Sequence, residues 1–254
     1  MVDRTVRRAL AKMPPSNALF MSLCALKEGE NVVLDTLTDG DDFKPVEVNT
    51  SPLFGPSVAG ANFVKVTVVE QFSKLMGAGL RRCGESRACV VLQLVQVEVK
   101  ESEQDVNVSS LLALMCPGDI SIYRHALDQP VKERGLLSLA LGGSCYTVFA
   151  AGLTKQPVDE GCLMLSRVAQ AVKGSVRNLK PRDGSMKRFI EHTRGAVAQM
   201  QRNLERATSD EDKAKMQGYI DTVTLMVEKS EAYLADPVDK MPPTFPHNRE
   251  RREL

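Results

Sequence analysis

The sequence predicts an α+β protein: an antiparallel β-sandwich or jelly-roll-like domain followed by a C-terminal helical segment. Three observations carry this. From residue 18 to about residue 151 the apolar residues fall in short runs, many alternating, separated by Gly-, Pro- and Asp-rich turns. From about residue 158 the period becomes helical, with Leu165, Val168, Val172 and Val176 on one face. The bulk composition, 43% hydrophobic and 26% charged over 254 residues, is that of a chain able to bury a core. The expected organisation is a β-rich domain with a short N-terminal helix over 1–157, a helical segment over 158–236 and a flexible tail over 237–254.

A helix is expected over 3–13, where Val6, Leu10 and Met13 share a face, Asp3 can cap, and Pro14-Pro15 ends the run. Ala18–Leu26 and Val32–Leu37 read as strands. The cluster Thr38-Asp39-Gly40-Asp41-Asp42 is a turn, across which Phe43–Val48 can pair back. Residues 50–62, with Pro52, Gly55, Pro56 and Gly60, read as a loop. Phe63–Val69 alternates like a half-buried strand. In Gln71–Gly84 the glycines Gly77, Gly79 and Gly84 favour a loop with Arg81-Arg82 exposed, although the segment is ambiguous.

Residues 88–100 give the clearest strand. Its apolar phase slips between Leu94 and Val95. Either a β-bulge there keeps Val90, Leu92, Val97 and Val99 on one core face, or the first half is buried on both faces and the second on one. Further strands are expected at Ser109–Met115, Ile120–Tyr123, Gly135–Leu141 and Cys145–Ala151. Past Pro181-Arg182-Asp183-Gly184, Ser185 or Asp183 can cap a helix with Met186, Phe189, Ile190, Val197, Met200 and Leu204 on its stripe. Ser209 and three acids open another, striped by Met216, Ile220, Val223, Val227 and Leu234. The two read as an antiparallel helical hairpin.

Composition and motifs exclude several chemistries. The six cysteines form no C-x-x-C pair and lack histidines at zinc spacing, so neither a metal nor another cofactor is expected. Several lie in apolar runs, as reduced buried thiols do, which fits the cytosol. Arg4 to Lys12 followed by Ala18–Leu26 mimics a signal peptide, but Pro14-Pro15 interrupts it and no small-residue cleavage site follows. No apolar run is long enough to span a membrane. Gly77-Ala78-Gly79 lacks the rest of a dinucleotide fingerprint, and no phosphate-binding loop of the G-x-x-x-x-G-K type occurs. Asp39, Asp41 and Asp42 lack the spacing of a calcium loop. Ser144 and Cys145, with His125 or His192, are the best hydrolase candidates. Cys145 opens an apolar strand and Ser144 lacks a nucleophile elbow, so no catalytic residue is assigned.

The charge is segregated. Residues 167–206 hold 10 basic and 3 acidic side chains, a net of +7 within a chain whose net is +1. This block reads either as a solvated helix face or as an anion-facing surface for RNA phosphates or acidic headgroups. The candidate nucleic-acid-binding residues are Arg177, Lys180, Arg182, Lys187, Arg188 and Arg194. With 5% aromatics and no tryptophan, base stacking is disfavoured, so single-stranded RNA would be held without sequence preference.

Ala88-Cys89-Val90-Val91-Leu92-Gln93-Leu94-Val95, then Leu111–Met115 with Pro117 and Ile120-Ser121-Ile122, then Gly135–Leu139 through Cys145–Phe149, occur in an order and spacing over 60–155 that resemble the thirty-kilodalton superfamily of plant-virus cell-to-cell movement proteins. Where that family carries an aspartate at the end of the first strand, this sequence has Val95-Gln96-Val97, with Glu98 the nearest acid. The resemblance implies a jelly-roll-like domain, cooperative binding of single-stranded RNA, and localisation in host cytoplasm and at plasmodesmata. The expected function is therefore a non-enzymatic viral movement-type protein. The alternative is a viral matrix or nucleocapsid-like protein that self-associates, and a small Cys/Ser hydrolase is the remote third.

Overall fold

The computed structural model describes residues 2–27, 32–40, 42–45, 47–83, 87–115, 148, 160–175, 184–237 and 240–246. Its centre is a seven-stranded antiparallel sheet, and C-terminal helices follow it. The elements are α1 (Val2–Lys12), β1 (Ala18–Lys27), β2 (Val32–Asp35), β3 (Lys44–Pro45), β4 (Val48–Ser51), β5 (Gly55–Val58), β6 (Val64–Val66), α2 (Val69–Cys83), β7 (Arg87–Lys100), β8 (Asp105–Met115), α3 (Glu160–Ser175), β9 (Gly184–Ser185), α4 (Met186–Arg206), α5 (Asp210–Ala235) and β10 (Phe245–Pro246). The large sheet runs β3-β2-β1-β7-β8-β9, with β6 also on β1; β10-β4-β5 form a small second sheet. The strands expected at Ile120–Tyr123, Gly135–Leu141 and Cys145–Ala151 lie outside the described residues.

β1 is apolar along its whole length because it is central: β7 flanks one edge while β2 and β6 share the other. Its alternate residues therefore feed two cores. On one face Leu19, Met21, Leu23 and Ala25 meet Val90, Leu92 and Leu94 of β7, under Val6 of α1 and Phe72 of α2. On the other, Ala18 and Phe20 join Val95, Val97, Val106 and Val108 under Phe54 and under Met186 and Ile190 of α4. Farther along that second face, Cys24, Leu26, Cys89 and Val91 lie beneath Val58 of the small sheet.

This corrects the bulge reading of β7. Met21, Leu94 and Leu111 are paired in one row and Phe20, Val95 and Ser110 in the next, so the register passes the Leu94–Val95 step unbroken. Val90 and Leu92 face one core, while Val97 and Val99 face the other. The strand is buried on both faces in its first half and on one in its second, the alternative that the alternation left open. Gln93 is buried because its amide Nε2 donates to the Pro56 carbonyl at 3.0 Å. A polar group so placed is satisfied rather than misplaced.

Three other expectations change. Gln71–Gly84 lies mostly within helix α2. A Cβ at Gly79 would stand 2.5 Å from Leu23 Cδ2 and 2.7 Å from Thr36 Oγ1, so the missing side chain is what lets the helix lie against the sheet. Residues 50–62 contain most of the β4–β5 hairpin, not an unstructured loop. Lys240–Pro246, expected in the flexible tail, returns to the body: Phe245 is buried and pairs with Thr50, and Asn49 Nδ2 donates to Thr244 Oγ1 at 3.1 Å. The helical hairpin appears as expected, with Ser185 and Ser209 as N-caps accepting from the Arg188 and Asp212 amides. Among the described residues no helix is long and apolar enough to cross a membrane.

Candidate nucleic-acid interface

Of the seven described basic residues of the block, Arg167 and Lys173 are exposed on α3 and the other five lie on helix α4, whose start is fixed to the sheet by Asp105. The Asp105 carboxylate accepts from Ser185 Oγ at 2.6 Å, from the Lys187 amide at 2.9 Å and from the Val106 amide at 2.7 Å. Burial pushes its pKa up, but these hydrogen bonds and the nearby Lys187 charge outweigh that, and the carboxyl is held below its ordinary value. Ser185 thus has two roles, donating to Asp105 and accepting from the Arg188 amide as the cap of α4. A Cβ on Gly184 would lie 2.6 Å from the Leu53 carbonyl oxygen, so the chain enters the helix wedged against the β4–β5 hairpin. Nothing local in the sequence marks Asp105 for this work, because the partners that fix α4, Ser185 Oγ and the Lys187 amide, lie 80 and 82 residues downstream.

The candidate residues fare differently. Arg177, Lys180 and Arg182 lie outside the described residues. Lys187 is exposed but its Nζ donates to the Glu103 carbonyl at 3.3 Å. The Arg194 guanidinium sits 2.5 Å from the Glu231 carboxylate of α5 and so is engaged between the two helices. Arg188 is exposed, and among the described residues its guanidinium has no acidic partner. Arg202 and Arg206, which belong to the same basic block but not to the candidate set, join it. Arg188, Arg202 and Arg206 are all exposed, and at 3.6 residues per turn they fall within about 40° of one another around the axis. They span about 27 Å along the helix. Arg202 donates to Gln199 at 2.6 Å. Phe189, the one aromatic of the block, is half-buried in the sheet-facing core and offers no stacking surface.

The hairpin as a whole is charge-segregated. Helix α4 has five basic and two acidic residues, whereas α5 has three basic and six acidic. Between the start of α4 and the end of α5, beside the β7–β8 turn, lies a cleft of about 620 Å³. Its wall mixes Lys100, Lys187 and Arg194 with Glu101, Glu191 and Glu231, so it does not suit a polyanion.

Of the hydrolase candidates, His125, Ser144 and Cys145 lie outside the described residues, and His192 is exposed on α4. Cys24, Cys83 and Cys89 are buried and reduced. Burial, with Asp35 and Cys83 adding to it, pushes the Cys24 thiol up to about 12, too high for a nucleophile at neutral pH. No protein-family model matches the chain, and no curated protein matches it in sequence.

Proposed function

We propose that this is a non-enzymatic protein of viral movement type that holds single-stranded RNA by charge and aids its cell-to-cell transport. The observation that carries the RNA contact is the row Arg188, Arg202 and Arg206 on the outward side of α4, on a helix whose start is fixed to the sheet. Guanidinium groups on such a row can pair with phosphates wherever the strand lies, and each phosphate neutralised releases counterions. With no exposed ring on α4, bases contribute little there. The test is filter binding of several unrelated single-stranded RNAs to the whole protein. The expected result is one affinity for all of them, falling steeply with salt. Selection for one sequence, or no binding, would sink the reading.

A second reading, self-association as a structural protein, draws on the same hairpin. Basic α4 beside acidic α5 is complementary to a second copy turned through a two-fold axis, and Leu225 stands 47% exposed on α5. Sedimentation at rising concentration tests it: a salt-sensitive dimer favours this reading, and a monomer throughout excludes it.

A further inference from the structure

The most basic layer among the described residues is not the one the sequence singles out. Helices α1 and α2 pack over the opposite face of the sheet from α4, through Val6 and Phe72 in a shared core. Together they carry seven basic residues against Asp3 and Glu70, a net of +5, whereas the α4–α5 hairpin nets to zero. Arg4, Arg8 and Lys12 follow the i, i+4, i+8 row of α1 and all are exposed. Lys74 and Arg81 are exposed at i, i+7 on α2. The apolar side of α1 is already used: Val6 is fully buried, and Leu10 and Met13 pack against the core. The helix is therefore held against the body and cannot turn to insert.

We infer that the outer surface of α1 and α2 docks on a membrane bearing acidic lipid headgroups. Two neighbouring helices that both present cations, with aliphatic side chains exposed beside them, suit a plane of acidic headgroups. The one aromatic in the two helices, Phe72, is 2% exposed. The aliphatic side chains of Val68 and Leu80 are 50% and 37% exposed on the same layer, where a lipid interface can take them and an RNA phosphate cannot. Contact is peripheral, through charge with minor apolar help, and leaves α4 on the far side of the sheet. The inference does not depend on the RNA reading.

The test is co-sedimentation of the whole protein with vesicles of phosphatidylcholine alone, or of phosphatidylcholine mixed with phosphatidylserine. The protein is expected on the acidic vesicles and not on the neutral ones. Arg4→Gln, Arg8→Gln and Lys12→Gln together are expected to weaken binding on the order of 100-fold, at about fivefold per basic side chain near the surface. Lys74→Gln with Arg81→Gln, which leaves α1 intact, is expected to weaken it about 25-fold and covers the case in which the triple variant fails to fold. Arg188→Gln, Arg202→Gln and Arg206→Gln are expected to leave vesicle binding unchanged. Equal binding to neutral vesicles, or unchanged binding in both the α1 and α2 variants, would overturn the inference. So would a loss of RNA affinity in the α1 or α2 variants matching that of the α4 variant, since the layer would then be a nucleic-acid surface.

Discussion

The two faces of the large sheet are covered in contrasting ways. On one, α1 and α2 lie against β1, β6 and β7, and Gly79 lets α2 approach closely. On the other, the small sheet covers one end of β1 and β7, and the hairpin covers the other end only with the start of α4 and the end of α5. No residue between Arg194 and Ile220 is buried, so the loop end of the hairpin adds nothing to the sheet's core. The difference separates two jobs that a sequence read by charge alone would merge. The α1–α2 face is basic and also helps to close the core. The outer part of α4 is basic and contributes no buried residue to the sheet's core.

Substitutions can break that comparison at graded cost. Leu92→Ala, in the fully buried row beneath α2, is expected to destabilise by about 2–5 kcal/mol in denaturant melts. A cost near zero would mean that the first face is not closed. Asp105→Ala strands the Val106 and Lys187 amides and is expected to cost about 2–3 kcal/mol. Because the folded-state pKa of Asp105 is depressed, its contribution is present above the ordinary carboxylate range and is lost as pH falls through the folded value. Stability of the parent should therefore drop on acidification by more than that of Asp105→Asn; parallel pH profiles would count against the anchor. Gly79→Ala forces a methyl into Leu23 and Thr36 and is expected to cost about 1–2 kcal/mol, where an ordinary exposed helical Gly→Ala would stabilise. Leu225→Gln, on the outward side of α5, is expected to change stability by less than about 0.5 kcal/mol.

What was legible in the sequence was local. The caps Ser185 and Ser209, the stripes of α4 and α5, and the strand at β7 all announce themselves within a few residues. What was missed depends on distant partners. The slip in β7 arises because β1 presents apolar residues to both cores, so alternation alone could not choose between a bulge and two buried faces. The glycines of α2 cost helix propensity, and only the approach of Leu23 and Thr36 explains Gly79. The prolines after Asp236 suggested a tail, yet Phe245 is held by Thr50 across the length of the chain. In the candidate site, charge counting found the basic block but not that Arg194 pairs with Glu231, nor that Arg202 and Arg206 continue the row of Arg188. It also found Arg4 to Lys12 without the helix α2 that turns them into a surface.

The two basic faces lie on opposite sides of the sheet, and the proposed RNA contact is on the α4 side. The direct measurement is filter binding of one single-stranded RNA across a salt series, for the parent, for the Arg188/Arg202/Arg206→Gln variant and for the Arg4/Arg8/Lys12→Gln variant. The α4 variant is expected to bind more weakly at low salt. Its slope of log K against log salt is expected to be shallower by about 2, since each phosphate that an arginine neutralises accounts for about 0.7. The α1 variant should keep the parent's slope. An unchanged slope in the α4 variant, or equal weakening in both, would contradict the account.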